Sequence, residues 1–243
     1  MARFIARRVA SEHPAWFTLA EPDAAGHTTL ACGLTGDVLT LGADMRLIRS
    51  EKPTPPNPPY ACALDALACQ VQEDLAVVSG RGNCHWLSAA HVCFPNGWAP
   101  EEKVGRDFAA LHAPVAGMDS MNARGGEFAA LMFGASAGLL RFAWGVTFDD
   151  RLDQHPQRPR IRFDPNRPRA FLRVERQTIW GFPGLETCLF TIRTYLYDCS
   201  SLRRHPGMAS LLATAVASMT PASLAYKNLA DSHEMLTRWL SNS

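Results

Sequence analysis

Alternating polar and apolar residues fill two stretches of the chain and predict β-strands there. The first stretch, residues 16–49, is interrupted by glycines that indicate tight turns between short strands. The second, Phe171–Tyr197, reads FLRVERQTIWGFPGLETCLFTIRTYLY and predicts two antiparallel strands joined by a Gly/Pro turn. Further strands are predicted for Asn83–Phe94 and Leu139–Phe148.

Apolar residues recur at helical spacing in the remaining segments. The predicted helices are Tyr60–Val78, a helix opened by Pro100 and ended by Pro114, Gly126–Ala137, Met208–Met219, and Ala222–Leu240 with a break near Asp231. Helices and strands therefore follow one another in mixed order along the chain. This order indicates an α+β fold built on an antiparallel sheet.

A proline-rich connector, Lys52–Pro59, divides the predicted elements. Five of its eight residues are proline, so the connector is expected to be stiff and extended. It separates a β-rich N-terminal segment, residues 1–52, from a main domain, residues 60–243. The two parts are expected to form one structural unit.

Composition and charge narrow the class of protein. With 243 residues, 47% of them hydrophobic, the chain can bury a sizeable core. A net charge of +1 provides no basic field for nucleic acid or an anionic membrane. The seven cysteines form no CxxC pair and suggest reduced thiols. Because no apolar run fits a signal peptide or a membrane span, which takes roughly 20 residues, a cytoplasmic location is predicted.

Histidines supply the candidate metal ligands. His91 and Cys93 are close enough along a strand to chelate one ion, although packed thiols and an ordinary histidine explain the same residues. His112 falls on the apolar face of a predicted helix, just before Pro114. A histidine there is either a structural residue bonded to a backbone carbonyl or a ligand of a metal or haem.

The paired strands of Phe171–Tyr197 carry a second candidate site. If the less polar sides of both strands lie on the same buried face of the sheet, Glu175 and Arg193 both lie on the opposite, polar face. There the two side chains can pair. The alternative is a solvent-exposed ion pair that contributes little to stability. The chain contains no P-loop, no GxGxxG and no HExxH, so a nucleotide-binding protein or a zinc protease of that type is not indicated.

Several stretches together resemble one family. LRVERQT (172–178) followed by LFTIRTY (189–195) resembles the signature of the haem-dependent oxidative N-demethylases, also described as dimethylamine monooxygenase large-subunit-like proteins. Three further stretches agree with this resemblance: VQEDLAVV (71–78), VCFPNGWAPEEKVGRDFAALHAPVAG (92–117) and YKNL…WL (226–240). The resemblance covers roughly residues 60–240.

The resemblance implies both a fold and an activity. It implies a PAS-like antiparallel sheet with flanking helices and a C-terminal helical segment, holding haem b through one histidine. It further implies a monooxygenase that oxidatively demethylates, or otherwise oxidises, a small methylated amine with O₂ and releases formaldehyde. Electrons would come from NADPH through a separate reductase subunit that carries flavin and an iron–sulfur cluster.

The resemblance also assigns residues. His112 is the expected ligand of the haem iron. The expected catalytic residues are Glu175, Arg193 and Tyr195, and the expected haem-binding residues are His112, Arg176, Arg193 and Trp144. Two other classes remain open: a PAS-like haem sensor or carrier without turnover, and a haem-free subunit of a multi-subunit oxidase.

Overall fold

The computed structural model describes residues 1–242 and shows an α+β protein, as the sequence predicts. Contacts between residues divide the chain into two compact units, Met1–Glu73 and the part that begins at Asp74. The predicted division near residues 52–60 remains a prediction about domains. In the described part of the chain, no helix is both long and apolar enough to cross a membrane.

The bounds of the elements are as follows. The strands are β1 (Phe17–Leu19), β2 (Thr28–Cys32), β3 (Asp37–Leu41), β4 (Leu47–Ser50), β5 (Asp74–Arg81), β6 (Cys84–His91), β7 (Leu139–Thr147), β8 (Phe171–Phe182) and β9 (Thr187–Asp198). The α-helices are α1 (Ala2–Glu12), α2 (Ala63–Ala68), α3 (Phe108–His112), α4 (Asp119–Asn122), α5 (Gly125–Gly134), α6 (Cys199–Arg203), α7 (Pro206–Ala217), α8 (Pro221–Tyr226) and α9 (His233–Ser241).

Two helix predictions need correction. The predicted helix Tyr60–Val78 is wrong beyond α2, because its last five residues belong to strand β5, which is paired on its two sides by β6 and β9. The helix expected after Pro100 is also broken. Gly105 has a φ of 85°, and α3 begins only after Asp107, whose side chain accepts a 2.8 Å hydrogen bond from the backbone N–H of Ala110. The predicted break near Asp231 is confirmed between α8 and α9.

The first unit is a four-stranded sheet in the order β1-β2-β3-β4, with α1 and α2. Its buried Asp37 carboxylate accepts hydrogen bonds from the hydroxyls of Ser50 and Tyr60, both at 2.8 Å. Burial and the bond to Asp37 raise the pKa of Tyr60 to about 12. These bonds connect the chain that follows the proline-rich connector to this sheet.

The second unit is a five-stranded antiparallel sheet in the order β6-β5-β9-β8-β7, and each face packs against different helices. Residues of α3 and α5 pack against the face that carries Ile179 and Cys188, which we call the α5 face. Residues of α7, α8 and α9 pack against the face that carries Val146 and Leu172, which we call the α7 face. The site described below depends on which face each side chain occupies.

Glycine allows the end of α5 to lie directly on the sheet. A Cβ atom at Gly181 would lie 2.3 Å from the carbonyl oxygen of Phe133, and one at Gly80 would lie 2.6 Å from the Phe133 ring. Real Cβ atoms do not approach this closely, so glycine is required at Gly181, where the clash is with backbone, and at Gly80 a Cβ would force the Phe133 ring to move. This close packing fixes α5 against the sheet, and α3 packs on α5 through Phe108 and Phe128, whose rings stack at 5.6 Å.

Candidate functional site

The register of β8 and β9 separates Glu175 from Arg193. Glu175 lies directly opposite Thr194, whereas Arg193 lies opposite Arg176. Since opposed residues of an antiparallel pair point to the same face, Glu175 belongs to the α5 face and Arg193 to the α7 face. The prediction that Glu175 and Arg193 share a face is therefore wrong.

The cause of this error is a buried polar strand face. The side of β8 that is buried throughout carries three polar residues, Arg173, Glu175 and Gln177, exposed by only 2%, 8% and 7%. The prediction placed the less polar side of β8 against the less polar side of β9. Instead, the polar side of β8 shares a face with Ile192 and Phe190 of β9, since hydrogen bonds satisfy its polar groups.

The other predicted site residues lie together on the α7 face. Arg176, Tyr195 and Trp144 share the register positions of that face with Arg193. The guanidinium of Arg193 lies 5.5 Å from the centre of the Tyr195 ring. The structure thus divides the predicted set, with these four residues on one face and Glu175 on the other.

Glu175 is the centre of a hydrogen-bonded cluster on the α5 face. Its Oε1 accepts a 2.8 Å hydrogen bond from Asn96 Nδ2, and its Oε2 accepts one of 3.0 Å from Gln177 Nε2. Arg173 Nε lies 3.5 Å from Oε1, within ion-pair distance. The carboxylate is therefore buried but paired, as a charged group in a protein interior must be.

Arg173 holds two loops against the sheet. Its two terminal nitrogens each donate a 2.7 Å hydrogen bond to a backbone carbonyl, one to Leu152 and the other to Phe94. Burial lowers the pKa of Arg173, while the negative charges of Glu175 and Asp74 oppose that shift. Asp74 in turn accepts backbone hydrogen bonds from Cys93 at 2.7 Å and Phe94 at 3.1 Å. The loops that contain Phe94 and Leu152 are thus fixed against the sheet beside the Glu175 carboxylate.

His112, at the end of α3, has one ring nitrogen engaged and the other open. Its Nδ1 lies 2.8 Å from the carbonyl oxygen of Phe108, which can only accept, so Nδ1 carries the proton. Burial lowers the pKa of His112, and the charges of Arg141 and Lys103 lower it further against the bond to Phe108. The ring is therefore neutral, and Nε2 makes no hydrogen bond to a described residue.

Arg141 is a cationic side chain of the α5 face whose charge acts on His112. It lies on β7 directly opposite Gln177, and it is exposed. Its side chain forms neither an ion pair nor a hydrogen bond with any residue from 1 to 242. Sequence reasoning missed Arg141 because only the β7–β8 register shows that it shares a face with Glu175.

The C-terminal segment brings Tyr226 and Lys227 to the same region. Lys227 Nζ donates a 2.6 Å hydrogen bond to the carbonyl of Trp144 and lies 5.7 Å from the centre of its ring. Burial raises the pKa of Tyr226 and lowers that of Lys227, and the negative charge of Glu175 raises both. Both residues therefore lie within electrostatic range of the Glu175 carboxylate.

The sequence YKNL (226–229) has a local structural explanation. Asn228 has a φ of 55°, and its N–H donates to the carbonyl of Ala225 at 3.1 Å. The N–H of Leu229 donates to the carbonyl of Leu224 at 2.8 Å, and both leucine side chains are buried in one core. These features define a Schellman motif that ends α8 and fixes the direction of Tyr226 and Lys227.

A pair of substitutions at Asn228 tests this motif. We expect Asn228→Ala to lower the free energy of unfolding by about 1–2 kcal/mol, because alanine disfavours the left-handed conformation. Asn228→Gly is the matched control and should change stability by less than about 1 kcal/mol, since glycine adopts that conformation freely. Urea denaturation followed by circular dichroism measures both values, and equal losses for the two variants would contradict the assignment.

Two sequence patterns point to other chemistries. Gly134–Gly138 reads GASAG and fits the G-x-S-x-G pattern of serine hydrolases. That pattern requires a strand-to-helix turn, whereas here α5 ends at Gly134 and β7 begins at Leu139, so no nucleophile elbow forms. His91 Nε2 lies 3.6 Å from Cys93 Sγ, and a metal site at this pair remains a prediction.

The fold and the site define a class of protein. A sheet domain that presents a neutral histidine, with its outer nitrogen open beside buried polar groups, suits a cofactor held through one axial ligand. Residues 1–237 match the family of haem-dependent oxidative N-demethylases, alpha subunit-like. The chain belongs to that family, which confirms the resemblance and extends it to the N-terminal segment. The family name describes haem-dependent oxidative proteins and a subunit of a larger assembly.

Proposed function

We propose that this protein is a PAS-like, haem-dependent monooxygenase subunit that oxidatively demethylates a small methylated amine with O₂. Neutral His112, with Nδ1 held by a carbonyl and Nε2 open, is the observation that carries the proposal. The sheet order β6-β5-β9-β8-β7, with α3, α4 and α5 in the connection between β6 and β7, supports a PAS-like fold. The proposal includes a cytoplasmic location and a separate NADPH-dependent reductase with flavin and an iron–sulfur cluster.

The residues present fit a haem on the α5 face. His112 Nε2 would be the iron ligand, and its fixed Nδ1–H···O bond would orient the ring. Half-buried apolar side chains of that face, Ala76, Phe190 and Ile192, would contact the apolar ring. When bound, haem supplies O₂ binding and activation at an open coordination position. The protein supplies orientation, exclusion of water and proton control.

Glu175 and Tyr226 are the proposed proton-handling groups. The Glu175 carboxylate is held by Asn96 and Gln177, and its charge is balanced by Arg173. The Tyr226 hydroxyl lies within the electrostatic range of this carboxylate. A fixed carboxylate and a phenol are the two groups that would hold or move a proton during oxidation. Glu175 thus keeps its proposed catalytic role on the α5 face.

Arg141 on the α5 face and Arg193 on the α7 face are alternative candidates for the arginine of the site. On the α5 face, Arg141 has no ion pair with any residue from 1 to 242 and would bind an anionic group, such as a haem carboxylate. On the α7 face, Arg193, Arg176, Tyr195 and Trp144 remain the residues that the family resemblance proposes for haem binding and catalysis. Since His112 and Glu175 lie on the α5 face, we favour Arg141.

Matched arginine variants decide between the faces. We expect Arg141→Met to lower either haem affinity or the rate of formaldehyde release at least about tenfold, since a positioned cation stabilises developing negative charge. Arg193→Met should leave both quantities within about twofold. Haem titration by absorbance and a formaldehyde assay with a methylated amine, NADPH and reductase provide the measurements. If Arg193→Met causes the larger loss and Arg141→Met little change, the site lies on the α7 face instead.

Reconstitution with haem tests the function itself. The purified protein should develop a Soret band and then release formaldehyde from a methylated amine. A Soret band without turnover would identify a haem sensor or carrier instead. A protein that stays colourless after haem addition would identify a haem-free subunit of the oxidase. Each of the three classes thus has its own result.

A further inference from the structure

Gln177 carries a buried hydrogen-bond acceptor that has no partner. The residue is 7% exposed, and its Nε2 donates to Glu175 Oε2 at 3.0 Å. Its Oε1 is completely buried and accepts no hydrogen bond from any residue that the structure describes. The orientation of the amide follows from chemistry, because an ionised carboxylate can only accept and the nitrogen must therefore face Glu175.

No neighbour on the sheet supplies a donor to this oxygen. Arg141 lies opposite Gln177 on β7, and Ile192 lies opposite it on β9. The side chain of Ile192 has no donor, and Arg141 does not bond to the amide. A buried acceptor without a donor is costly in a folded protein, so a ligand that brings an N–H or O–H group gains affinity there.

Glu175 is less open to a ligand than Gln177. Its two oxygens already receive hydrogen bonds from Asn96 and Gln177, and Arg173 lies at ion-pair distance. Its charge is therefore compensated within the protein. The amide oxygen of Gln177 is neutral and receives no hydrogen bond from a described residue, so it distinguishes ligands by their N–H groups rather than by charge alone.

We propose that Gln177 Oε1 accepts an N–H of the amine substrate and so selects amines that carry at least one N–H. This inference rests on the proposed function and names the residue that sets its substrate class. Primary, secondary and tertiary methylamines are protonated at neutral pH and each carries an N–H. Quaternary ammonium ions carry the same charge and no N–H, and the site discriminates against them.

Trimethylammonium and tetramethylammonium are the probes, because both are cations and differ by one methyl group in place of the N–H. Isothermal titration calorimetry measures their binding to the wild type, to Gln177→Met and to the control Gln157→Met, an exposed glutamine. We expect the wild type and the control to prefer trimethylammonium about tenfold. In Gln177→Met the preference should fall to about twofold or less.

Further variants separate recognition of N–H from recognition of size. Gln177→Glu keeps an acceptor at this position and should retain most of the preference, whereas Gln177→Leu, a second apolar variant, should lose it. If Gln177→Met and Gln177→Leu both keep the wild-type preference, size alone discriminates and the inference is wrong. Absence of a preference in the wild type would overturn it equally.

Performing the titrations with and without haem distinguishes this inference from the proposed function. The Gln177 acceptor belongs to the protein chain, so the preference should be measurable in both forms. A protein that binds no haem but prefers trimethylammonium contradicts the haem enzyme and supports the amine site. A haem-loaded protein without the preference contradicts the amine site alone.

Discussion

His112→Ala will yield a folded protein that has lost the haem Soret band. The Nδ1 of His112 is fixed by the Phe108 carbonyl at 2.8 Å, so the variant removes Nε2, the proposed ligand atom. Loss of an outer partner of a ligand costs about 10–100-fold in metal affinity, so loss of the ligand itself should cost more than about 100-fold. Haem titration followed by absorbance measures the change.

His13→Ala is the matched control, because this histidine is exposed and lies in the first unit. The control should bind haem as the wild type does. Circular dichroism checks that His112→Ala is folded. Added imidazole should restore part of the Soret band, since it can occupy the space that the side chain leaves. If His112→Ala keeps the haem affinity of the wild type, His112 is not the iron ligand and has only a structural role.

The proposal of His112 as the iron ligand stays a prediction, and the sequence signal behind it is local. An apolar stripe, a histidine and a nearby proline lie within one short segment, and the family resemblance covers the same residues. The start of its helix could not be predicted as well. Gly105 adopts a left-handed conformation and Asp107 caps α3, so the chain turns between Pro100 and Phe108 although the apolar spacing continues.

The α5 face could not be predicted because the contacts that stabilise it are distant in sequence. Arg173 bonds to the carbonyls of Phe94 and Leu152, and Asn96 bonds to Glu175. A pattern of polar and apolar residues treats a polar strand face as exposed unless such partners are known. The same ambiguity led to the wrong pairing of Glu175 with Arg193.

The YKNL segment contributes to the family resemblance, but its sequence alone does not explain what these residues do. The backbone conformation explains it. Asn228 is a residue that tolerates a positive φ, and Leu229 is the buried residue that a Schellman motif places after it. Tyr226 and Lys227 are therefore directed by a helix end rather than by the sheet. Their approach to Glu175 depends on tertiary packing, which a single sequence does not reveal.

Arg173→Met will cause the largest loss of stability among the substitutions considered. The change leaves Glu175 without its ion-pair partner and leaves the carbonyls of Phe94 and Leu152 without donors. Breaking a buried ion pair by removing one partner costs about 3–5 kcal/mol. Urea denaturation should show this loss, whereas Arg158→Met, which removes an exposed ion pair with Asp153, should cost less than about 1 kcal/mol.

A double variant separates the charge of Arg173 from its hydrogen bonds to the loops. In Arg173→Met/Glu175→Gln the uncompensated carboxylate is gone, so part of the lost stability should return, and the two substitutions should be non-additive by at least about 1 kcal/mol. Additive losses would mean that Arg173 acts mainly through the two loop carbonyls. In that case the Glu175 charge must be balanced from elsewhere, and Lys227, within its electrostatic range, becomes the group to vary next.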